Sequence, residues 1–401
     1  MVYLWYFDRQ DAIQSAGFNL IRDLPRFLLL LLIMQQLPCA EWGHNPLFEP
    51  EPGFLNKIQV VDKEKETIVD LEFDLRSSKR ITHYGLWGRA TNSFPVKSEA
   101  LFELANELAK EPPNLNGAEG SVTKIHRSKE THQGEIDILK KVYEIAAEHP
   151  EVNGHEDTCT AKIGEAFGID VGGHTLYAMV SIKLRPITEL SGDKFLRAWW
   201  HAVACRCFSP LRSLTPLTPR IGHRALWEED VRHCDINPNN LVFYYDSSGE
   251  IVGVLNDYDL SLMNSVLSGK ERIGTAPFMA VDLLSQAIRG KVEHVYRHDA
   301  ESFIWVLIWI CLRYSDGVLH DRRQLVELLL TKDTHICEWV KKNFRSNRCR
   351  EAQPSLSHQS NWSIALSCLE ATHCQPKPIV EVKDVFKTWF EDVVPLRIQS
   401  M

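Results

Sequence analysis

The sequence predicts an α+β fold with two lobes, the first rich in β-strands and the second mainly helical. Runs of β-branched and aromatic residues typical of strands recur in the first half, at residues 55–75, 122–125 and 176–184. Apolar residues with helical spacing follow at residues 192–204, and residues 303–310 form an uninterrupted apolar run that suits a helix buried on all sides. A chain of 401 residues is long enough for two lobes and a proper core.

The composition is that of a globular protein, with 44% hydrophobic and 24% charged residues. The formal net charge of −8 argues against nucleic acid as a partner, because duplex binding relies on a basic face. The ten cysteines show neither C-x-x-C spacing nor a zinc-finger pattern with histidine. They are therefore expected to be reduced thiols of an intracellular protein, in the cytoplasm or the nucleus.

Residues 1–75 are predicted to form an N-terminal extension of helix and strands that packs on the main domain. The apolar run at residues 27–34 is too short to cross a bilayer, and it lies too far along the chain for a usual signal peptide. We therefore expect a buried helix and no membrane span. Because the run cannot bury its own apolar face, that face is expected to contact the main domain or a partner.

Two pairs of residues in the β-rich part are candidates for binding phosphate. Gly85 and Gly88 belong to a strand-turn segment whose backbone amides could cover phosphates, although an ordinary hairpin fits the same residues. Lys124 lies on a short predicted strand, and Glu135 begins the helix that follows. A strand lysine paired with a helix glutamate fixes the α- and β-phosphates of ATP in phosphoryl-transfer enzymes, whereas surface charge is the simpler alternative. Asp137 is the alternative partner of Lys124, because the spacing to Glu135 is short.

A buried helix is predicted from Gly192 onward. The residues that recur there with helical spacing are Phe195, Leu196, Trp199, Trp200, Val203 and Ala204. Residues 206–222 then carry three X-Pro pairs, which are incompatible with a continuous helix, so a loop insertion is predicted. Both regulation by proline-directed phosphorylation and an insertion without function fit this pattern.

The most informative motif is His-Cys-Asp-Ile-Asn-Pro-Asn-Asn at residues 233–240, followed later by Asp257. Phosphoryl transfer from ATP needs one carboxylate to accept the proton of the attacking hydroxyl, and an amide and a second carboxylate to hold Mg²⁺. In an H-x-D-x-x-x-x-N loop the Asp and the Asn lie on one tight turn. Asp235 can therefore face the acceptor hydroxyl while Asn240 faces the metal.

A β-hairpin is predicted between this loop and Asp257. The strand-like runs at residues 241–245 and 251–255 flank Asp246-Ser-Ser-Gly249, which is a turn signal. Such a hairpin returns Asp257 to the end at which Asn240 lies, so Asp257 becomes the second candidate metal ligand.

Together these residues resemble the fungal-type protein kinases, a family of the protein-kinase-like superfamily. The motifs that carry the resemblance are Leu4-Trp5-Tyr6, the loop at residues 233–240, Gly253-Val-Leu-Asn-Asp257-Tyr-Asp259, Glu271-Arg-Ile-Gly-Thr-Ala-Pro-Phe-Met-Ala280 and Tyr296-Arg-His-Asp-Ala-Glu-Ser-Phe-Ile-Trp-Val-Leu307. The resemblance covers most of the chain and is densest from residue 224 to residue 314. It implies the protein-kinase-like two-lobe fold, with a β-rich N-lobe at 76–188 and a helical C-lobe at 189–401 after the extension.

The resemblance also implies a role for each candidate residue. Asp235 is implied as the catalytic base, Asn240 and Asp257 as the Mg²⁺ ligands, Lys124 as the lysine that pairs with phosphate, and Glu135 as its helix partner. Gly274-Thr275 resembles the substrate-docking end of an activation segment, and Asp299 resembles the carboxylate that steadies the catalytic-loop backbone. The implied activity is ATP- and Mg²⁺-dependent phosphorylation of Ser or Thr on a protein substrate.

Several departures from the usual kinase pattern favour a second function, a pseudokinase that keeps the fold without turnover. Cys234 replaces the arginine after the loop histidine, Asn237 stands where serine/threonine kinases usually carry a lysine, Asp259 replaces the glycine of Asp-Phe-Gly, and Ala280-Val-Asp282 replaces Ala-Pro-Glu. A small-molecule kinase of the aminoglycoside or choline phosphotransferase type is a third alternative, since it uses the same loop motif. The Gly274-Thr275 segment disfavours it, because those enzymes lack such a segment.

Overall fold

The structure is a computed structural model, and it describes a little under three fifths of the chain. The described residues are 3, 5–7, 12–14, 16–17, 19, 21–37, 55–62, 67–74, 81–82, 92–97, 121–129, 138–139, 141–142, 144–145, 167–170, 174–182, 184–204, 223–245, 249–258, 260–263, 274–285, 293–320, 333–348, 352–372 and 381–399. Helices and strands are both present among them, as the predicted α+β class requires.

The chain divides into two compact units. The first contains residues 1–110, 120–132 and 162–183, and the second contains residues 111–119, 133–161 and 184–401.

The first unit is built mainly from antiparallel strands. They are β1 (Trp5–Phe7), β2 (Ala12–Gln14), β3 (Leu55–Asp62), β4 (Thr67–Asp74), β5 (Ile81–Thr82), β6 (Asn92–Lys97), β7 (Ser121–Lys129), β8 (Phe167–Asp170) and β9 (His174–Ile182). Strands β1 and β2 form a hairpin, and the other seven form one sheet in the order β3-β4-β6-β7-β9-β8, with β5 paired to β6. The strands predicted at 55–75, 122–125 and 176–184 are therefore confirmed as β3 and β4, β7, and β9. Their β-branched and aromatic residues suit a pleated surface.

The apolar run at residues 27–34 forms helix α1 (Leu24–Gln36), but the prediction that this helix is buried is wrong. None of its residues is buried, and Leu28, Leu29 and Leu32 each expose more than half of their surface. Apolar residues occur on every side of α1, whereas only the side of Phe27, Leu30 and Met34 is partly covered. Apolar composition alone therefore predicted the helix but could not supply a surface to cover it. Among the described residues, no helix combines the length and the apolarity needed to cross a membrane.

The second unit is mainly helical, with small antiparallel sheets. Among the described residues, its helices with continuous bounds are α2 (Gly192–Ala204), α3 (His223–Glu228), α4 (Val281–Leu284), α5 (Tyr296–Arg313), α6 (Thr334–Asn343), α7 (Gln359–Ala371), α8 (Val382–Phe386) and α9 (Leu396–Gln399). Its strands are β10 (Arg185–Pro186), β11 (Val231–Arg232), β12 (Leu241–Tyr245), β13 (Ile251–Leu255), β14 (Leu262–Met263), β15 (Tyr314–Ser315) and β16 (Val318–Leu319). Short 3₁₀ turns at Ile187–Glu189, Pro238–Asn240 and Leu356–His358 and π-helical turns at Phe344–Arg348 and Lys387–Glu391 connect them.

Helix α5 lies at the centre of this unit. Every one of its residues except Arg297 is buried, which confirms the prediction from its uninterrupted apolar run. The six apolar residues predicted for α2 are also buried, and the indole of Trp199 donates to the carbonyl of Phe303 at 3.1 Å. Helix α2 approaches β13 so closely that a Cβ on Gly253 would lie 1.8 Å from the carbonyl oxygen of Ala198. Helices α2 and α5 thus pack with this strand in one core that includes Ile236 of the loop at residues 233–240, the catalytic loop that the resemblance implies.

Candidate active site

The predicted hairpin forms and places Asp257 beside Asn240. Strands β12 and β13 pair from Leu241 opposite Leu255 to Tyr245 opposite Ile251. At the open end of the hairpin, the backbone N–H of Asn256 donates to the carbonyl of Asn240 at 2.8 Å. Asp257 is the next residue and has a left-handed backbone with φ of 65°, a region that Asp adopts more readily than most residues.

His233 connects the catalytic loop to the end of β13. Its Nδ1 accepts from the backbone N–H of Asp235 at 3.3 Å, so its Nε2 carries the hydrogen and donates to the carbonyl of Asn256 at 3.0 Å. Complete burial lowers the pKa of His233 against the opposing influence of Asp299, which agrees with a neutral imidazole. Its ring packs edge-on against Tyr258 with centroids 4.9 Å apart. This neutral ring joins the loop that carries Asp235 to the strand that leads to Asp257.

The carboxylate of Asp235 accepts hydrogen bonds from three residues. Its Oδ1 accepts from the backbone N–H and the hydroxyl of Thr275, at 2.8 and 2.7 Å. Its Oδ2 accepts from the side-chain amides of Asn237 and Asn240, at 3.1 and 3.4 Å. The amide of Asn240 also donates to the backbone carbonyl of Asp235 at 2.9 Å. The structure therefore brings together the predicted base, one predicted metal ligand and the predicted substrate-docking residue.

Asp299 on α5 holds the backbone of the catalytic loop, as the resemblance implies. Its Oδ2 accepts from the backbone N–H of Cys234 at 3.1 Å and contacts Nε2 of His223 at 2.8 Å, while its Oδ1 contacts Nε2 of His294 at 2.7 Å. Burial by itself raises the pKa of Asp299, but His294 and His223 outweigh this and hold the pKa well below its usual range. Asp299 is therefore an ionised carboxylate that accepts from three elements, and it fixes the left-handed backbone at Cys234, whose φ is 65°.

The segment that carries Thr275 lies directly against the loop. Gly274 has φ of 123°, and a Cβ at this position would lie 2.9 Å from the carbonyl oxygen of Cys234, so only glycine fits without displacement. The end of the segment is held by two buried charged side chains. The ammonium group of Lys341 donates to the carbonyl of Met279, and Glu301 accepts from the backbone N–H of Val281 at 3.1 Å.

The helix predicted to begin at Glu135 is present in the described residues 138–139, 141–142 and 144–145, and it packs beside the loop. Its apolar residues Ile138, Val142 and Ile145 share a buried cluster with Leu226, Val231 and Tyr258. Tyr258 follows Asp257 directly, so the helix supports the backbone at one predicted metal ligand. Glu135 itself lies outside the described residues.

The remaining predicted site residues either belong to the first unit or lie outside the described residues. Lys124 is half-buried on β7, opposite Ser93 of β6 and Met179 of β9. Gly85, Gly88, Asp137 and Asp259 lie outside the described residues, as does the predicted loop at 206–222. The roles assigned to them stay predictions.

The chemistry of Asn240 and Asp257 fits a magnesium ion. Mg²⁺ prefers oxygen ligands and is usually held by one or two carboxylates together with substrate phosphates and water. The amide nitrogen of Asn240 is committed to Asp235, so its carbonyl oxygen is the atom that would face a cation. Among the described residues there is no group of three or more His, Cys, Asp or Glu side chains suited to a metal.

Sequence reasoning missed the two histidines on Asp299 and the two charged residues at the end of the segment. His223 lies 76 residues before Asp299 in the chain, and a single histidine carries no local signal of a distant carboxylate. Lys341 lies 62 residues from the carbonyl that it contacts. His294, which is only five residues from Asp299, could have been found from its place just before the motif at 296–307.

One comparison with known proteins bears on these residues. The model of a family described as fungal protein kinase matches residues 214–311. The match includes the catalytic loop, Asp257, the segment with Thr275 and most of α5, and it confirms the resemblance over this range. This part of the chain is kinase-like. No curated protein matches the chain.

Proposed function

We propose that this protein is an ATP- and Mg²⁺-dependent kinase that transfers the γ-phosphoryl group to Ser or Thr of a protein substrate. The observation that carries the proposal is the arrangement around Asp235, where the loop amides and Thr275 hold the carboxylate next to Asn240 and the hairpin end. The proposed architecture is the two-lobe kinase fold, with the extension at residues 1–75, the N-lobe at 76–188 and the C-lobe at 189–401.

Asp235 is the proposed general base. Its Oδ1 accepts two short hydrogen bonds from Thr275, whereas the donors at Oδ2 are farther away, at 3.1 and 3.4 Å. Oδ2 is therefore the oxygen better able to exchange a donor for the hydroxyl of an acceptor and to take its proton. A positioned base of this kind contributes roughly 10²–10⁴-fold to the rate of such a transfer.

Thr275 supports a Ser or Thr acceptor over a Tyr acceptor. Both its backbone N–H and its hydroxyl contact Asp235, so the backbone of the segment lies within one hydrogen bond of the base. A peptide laid along this segment would bring a hydroxyl on a short side chain to the carboxylate. A phenolic hydroxyl, at the far end of an aromatic ring, would extend past it.

The remaining roles follow from the kinase pattern. ATP would supply the phosphoryl group, and Asn240 and Asp257 would hold Mg²⁺, whose chemistry when bound is to neutralise the phosphate charge. Lys124, with Glu135 as its partner, would fix the α- and β-phosphates, and the backbone at Gly85 and Gly88 would cover them. We further propose an intracellular protein of the cytoplasm or nucleus whose partner is a protein substrate and not a nucleic acid.

Transfer from labelled ATP tests this function. The purified chain is incubated with γ-labelled ATP, Mg²⁺ and either casein or a basic protein, and the labelled amino acids are identified after hydrolysis. Asp235→Asn should reduce the label on Ser and Thr by roughly 10²–10⁴-fold. Asp230→Asn is the matched control, because Asp230 is a surface carboxylate close in sequence that pairs with Arg232. Equal labelling by the wild type and Asp235→Asn would exclude the proposed function. In parallel reactions that contain an aminoglycoside or choline, label on the small molecule and not on protein would favour a small-molecule kinase.

A pseudokinase is the second candidate function, and Asn237 is the observation that favours it. This neutral amide lies within 3.1 Å of the base, at the place where serine/threonine kinases usually carry a lysine. Thermal melting with Mg-ATP distinguishes the nucleotide-binding forms from a pure scaffold. A ligand at about 100 times its Kd adds roughly 2.7 kcal/mol of stability. A higher melting temperature with Mg-ATP but no phosphoryl transfer would indicate a nucleotide-binding module. An unchanged melting temperature would indicate a scaffold.

A further inference from the structure

Asn237 is held in one orientation by contacts on both sides of its carboxamide. The side chain is only 5% exposed. Its Oδ1 accepts from the backbone N–H of Asn239 at 3.0 Å, and its Nδ2 donates to Oδ2 of Asp235 at 3.1 Å. Exchanging the oxygen and the nitrogen would set two donors against each other at Asn239 and two acceptors against each other at Asp235. The hydrogen-bond partners therefore determine the orientation of the amide.

The same amide nitrogen reaches the segment that faces the loop. Nδ2 of Asn237 lies 3.4 Å from the hydroxyl oxygen of Thr275, and that hydroxyl donates to Oδ1 of Asp235 at 2.7 Å. Asn237, Asp235 and Thr275 thus form a closed triangle of hydrogen bonds. In this triangle the amide contacts one oxygen of the base directly and the other oxygen through Thr275. Loss of the amide would leave the carboxylate fixed mainly from the Thr275 side.

We propose that Asn237 is a positioning residue for phosphoryl transfer, whose side-chain amide fixes Asp235 and Thr275 in one arrangement. This inference rests on the proposed function. It assigns to the position a donor function that does not depend on charge. The residue does not itself touch the reacting atoms; it acts through the base and through the segment on which the acceptor would lie.

If the N–H groups of Asn237 are what matters, the kcat values of its variants should follow a clear order. Asn237→Ala and Asn237→Asp both remove the N–H groups, and the second is close to the natural residue in size. Asn237→Lys keeps donors that can reach the same two acceptors. We expect the first two variants to lower kcat about 100-fold, since a small misplacement of a catalytic group has an effect of about that size. The KM for ATP should stay unchanged, and Asn237→Lys should keep at least the kcat of the wild type.

Asn239→Ala is the matched control. Asn239 is an exposed asparagine two residues away and lies outside the triangle; only its backbone N–H, which the substitution keeps, contacts Asn237. Its kcat should equal that of the wild type. Unchanged kcat in Asn237→Ala would overturn the proposal. So would an equal loss in Asn237→Lys, because the position would then require the shape of asparagine and not its donors.

A second measurement does not depend on turnover. The backbone N–H of Thr275 donates to Asp235, so its hydrogen exchange reports how firmly the segment is held. Asn237→Ala should accelerate exchange of this amide about tenfold, and Asn239→Ala should leave it unchanged. Equal exchange in both variants would overturn the positioning role. If the wild type shows no transfer at all, the proposed function fails, and the exchange result alone decides whether Asn237 fixes the segment.

Discussion

Replacing Lys341 with methionine tests whether the buried lysine at the end of the Thr275 segment lowers the stability of the folded protein when it is charged. Lys341 on α6 is completely buried, donates to the carbonyl of Met279 and lies 4.6 Å from the centre of the Trp305 ring. Glu301 binds the same region from α5, through the N–H of Val281 at 3.1 Å and the indole of Trp305 at 2.9 Å. Methionine has a similar length and no charge, so it fills the site without the ammonium group.

The expected change in unfolding free energy follows from the pKa of the lysine. Desolvation lowers the pKa of Lys341 from 10.5 to about 7, with Glu301 opposing the change. At 1.36 kcal/mol per pKa unit, the buried ammonium group lowers the stability of the folded protein by roughly 5 kcal/mol when it is fully charged. Because the folded pKa is below the unfolded one, the unfolded chain holds more protons above pH 7. The unfolding free energy therefore rises with pH across this range, by roughly 2 kcal/mol between pH 7 and pH 9.

The measurement is urea denaturation followed by tryptophan fluorescence at several pH values from 6 to 9. Lys341→Met lacks the titration, so its stability relative to the wild type should be highest at pH 6 and should fall by roughly 2 kcal/mol between pH 7 and pH 9. Lys342→Met is the matched control, because Lys342 is exposed and pairs with Glu338 on the surface. Parallel curves for the wild type and Lys341→Met across this range would refute the reasoning.

Three further substitutions test the packing and the charges around the loop. Gly253→Ala should lower the unfolding free energy by about 3 kcal/mol, because the new Cβ meets backbone atoms of Ala198 that cannot move aside; urea denaturation measures it. Gly249→Ala has open space around it and only the cost of a left-handed backbone, so about 1 kcal/mol is expected, and an equal loss in both would contradict the clash. Asp299→Asn should destabilise the protein by about 3 kcal/mol at pH 7, since the donors of Cys234 and two histidines lose an anionic acceptor. Because folding lowers the pKa of Asp299, the stabilisation is fully present above the unfolded pKa of about 4 and is lost as the pH falls below it. The difference in melting temperature between the wild type and Asp299→Asn should therefore become smaller below that pH. A difference that does not change with pH would show that Asp299 is not ionised.

Local sequence patterns predicted the secondary structure near the site well. The hairpin of β12 and β13 followed from two β-rich runs around a turn signal, and α5 followed from an apolar run that no polar residue interrupts. These patterns are local, because each element carries its own signal in neighbouring residues. The exposure of α1 could not be predicted from local patterns. Its sequence predicts a helix, but whether that helix is buried depends on a surface supplied elsewhere.

The candidate site was predictable only in part for the same reason. Asp235, Asn240 and Asp257 fall in one motif and one hairpin, so their proximity follows from chain order. The contacts of His223 with Asp299 and of Lys341 with Met279 join residues more than sixty positions apart. No periodicity in either segment encodes such a pair, and only the packing of α3 and α6 against the rest of the unit creates it.

The structure also shows how Cys234 and Asn237, two departures from the usual kinase pattern, are held in the loop. Cys234 lacks the charge of the arginine it replaces, but the atom used by Asp299 at this position is the backbone nitrogen, which any residue supplies. Burial, together with Asp299, raises the pKa of the Cys234 thiol well above its usual range, so the side chain stays neutral and packed. The loop is therefore held without an arginine, and the far end of the segment is held by Lys341 and Glu301 without a phosphate. Among the departures that the structure describes, Asn237 has the most direct bearing on the proposed turnover, because its amide contacts the proposed base Asp235 and carries no positive charge.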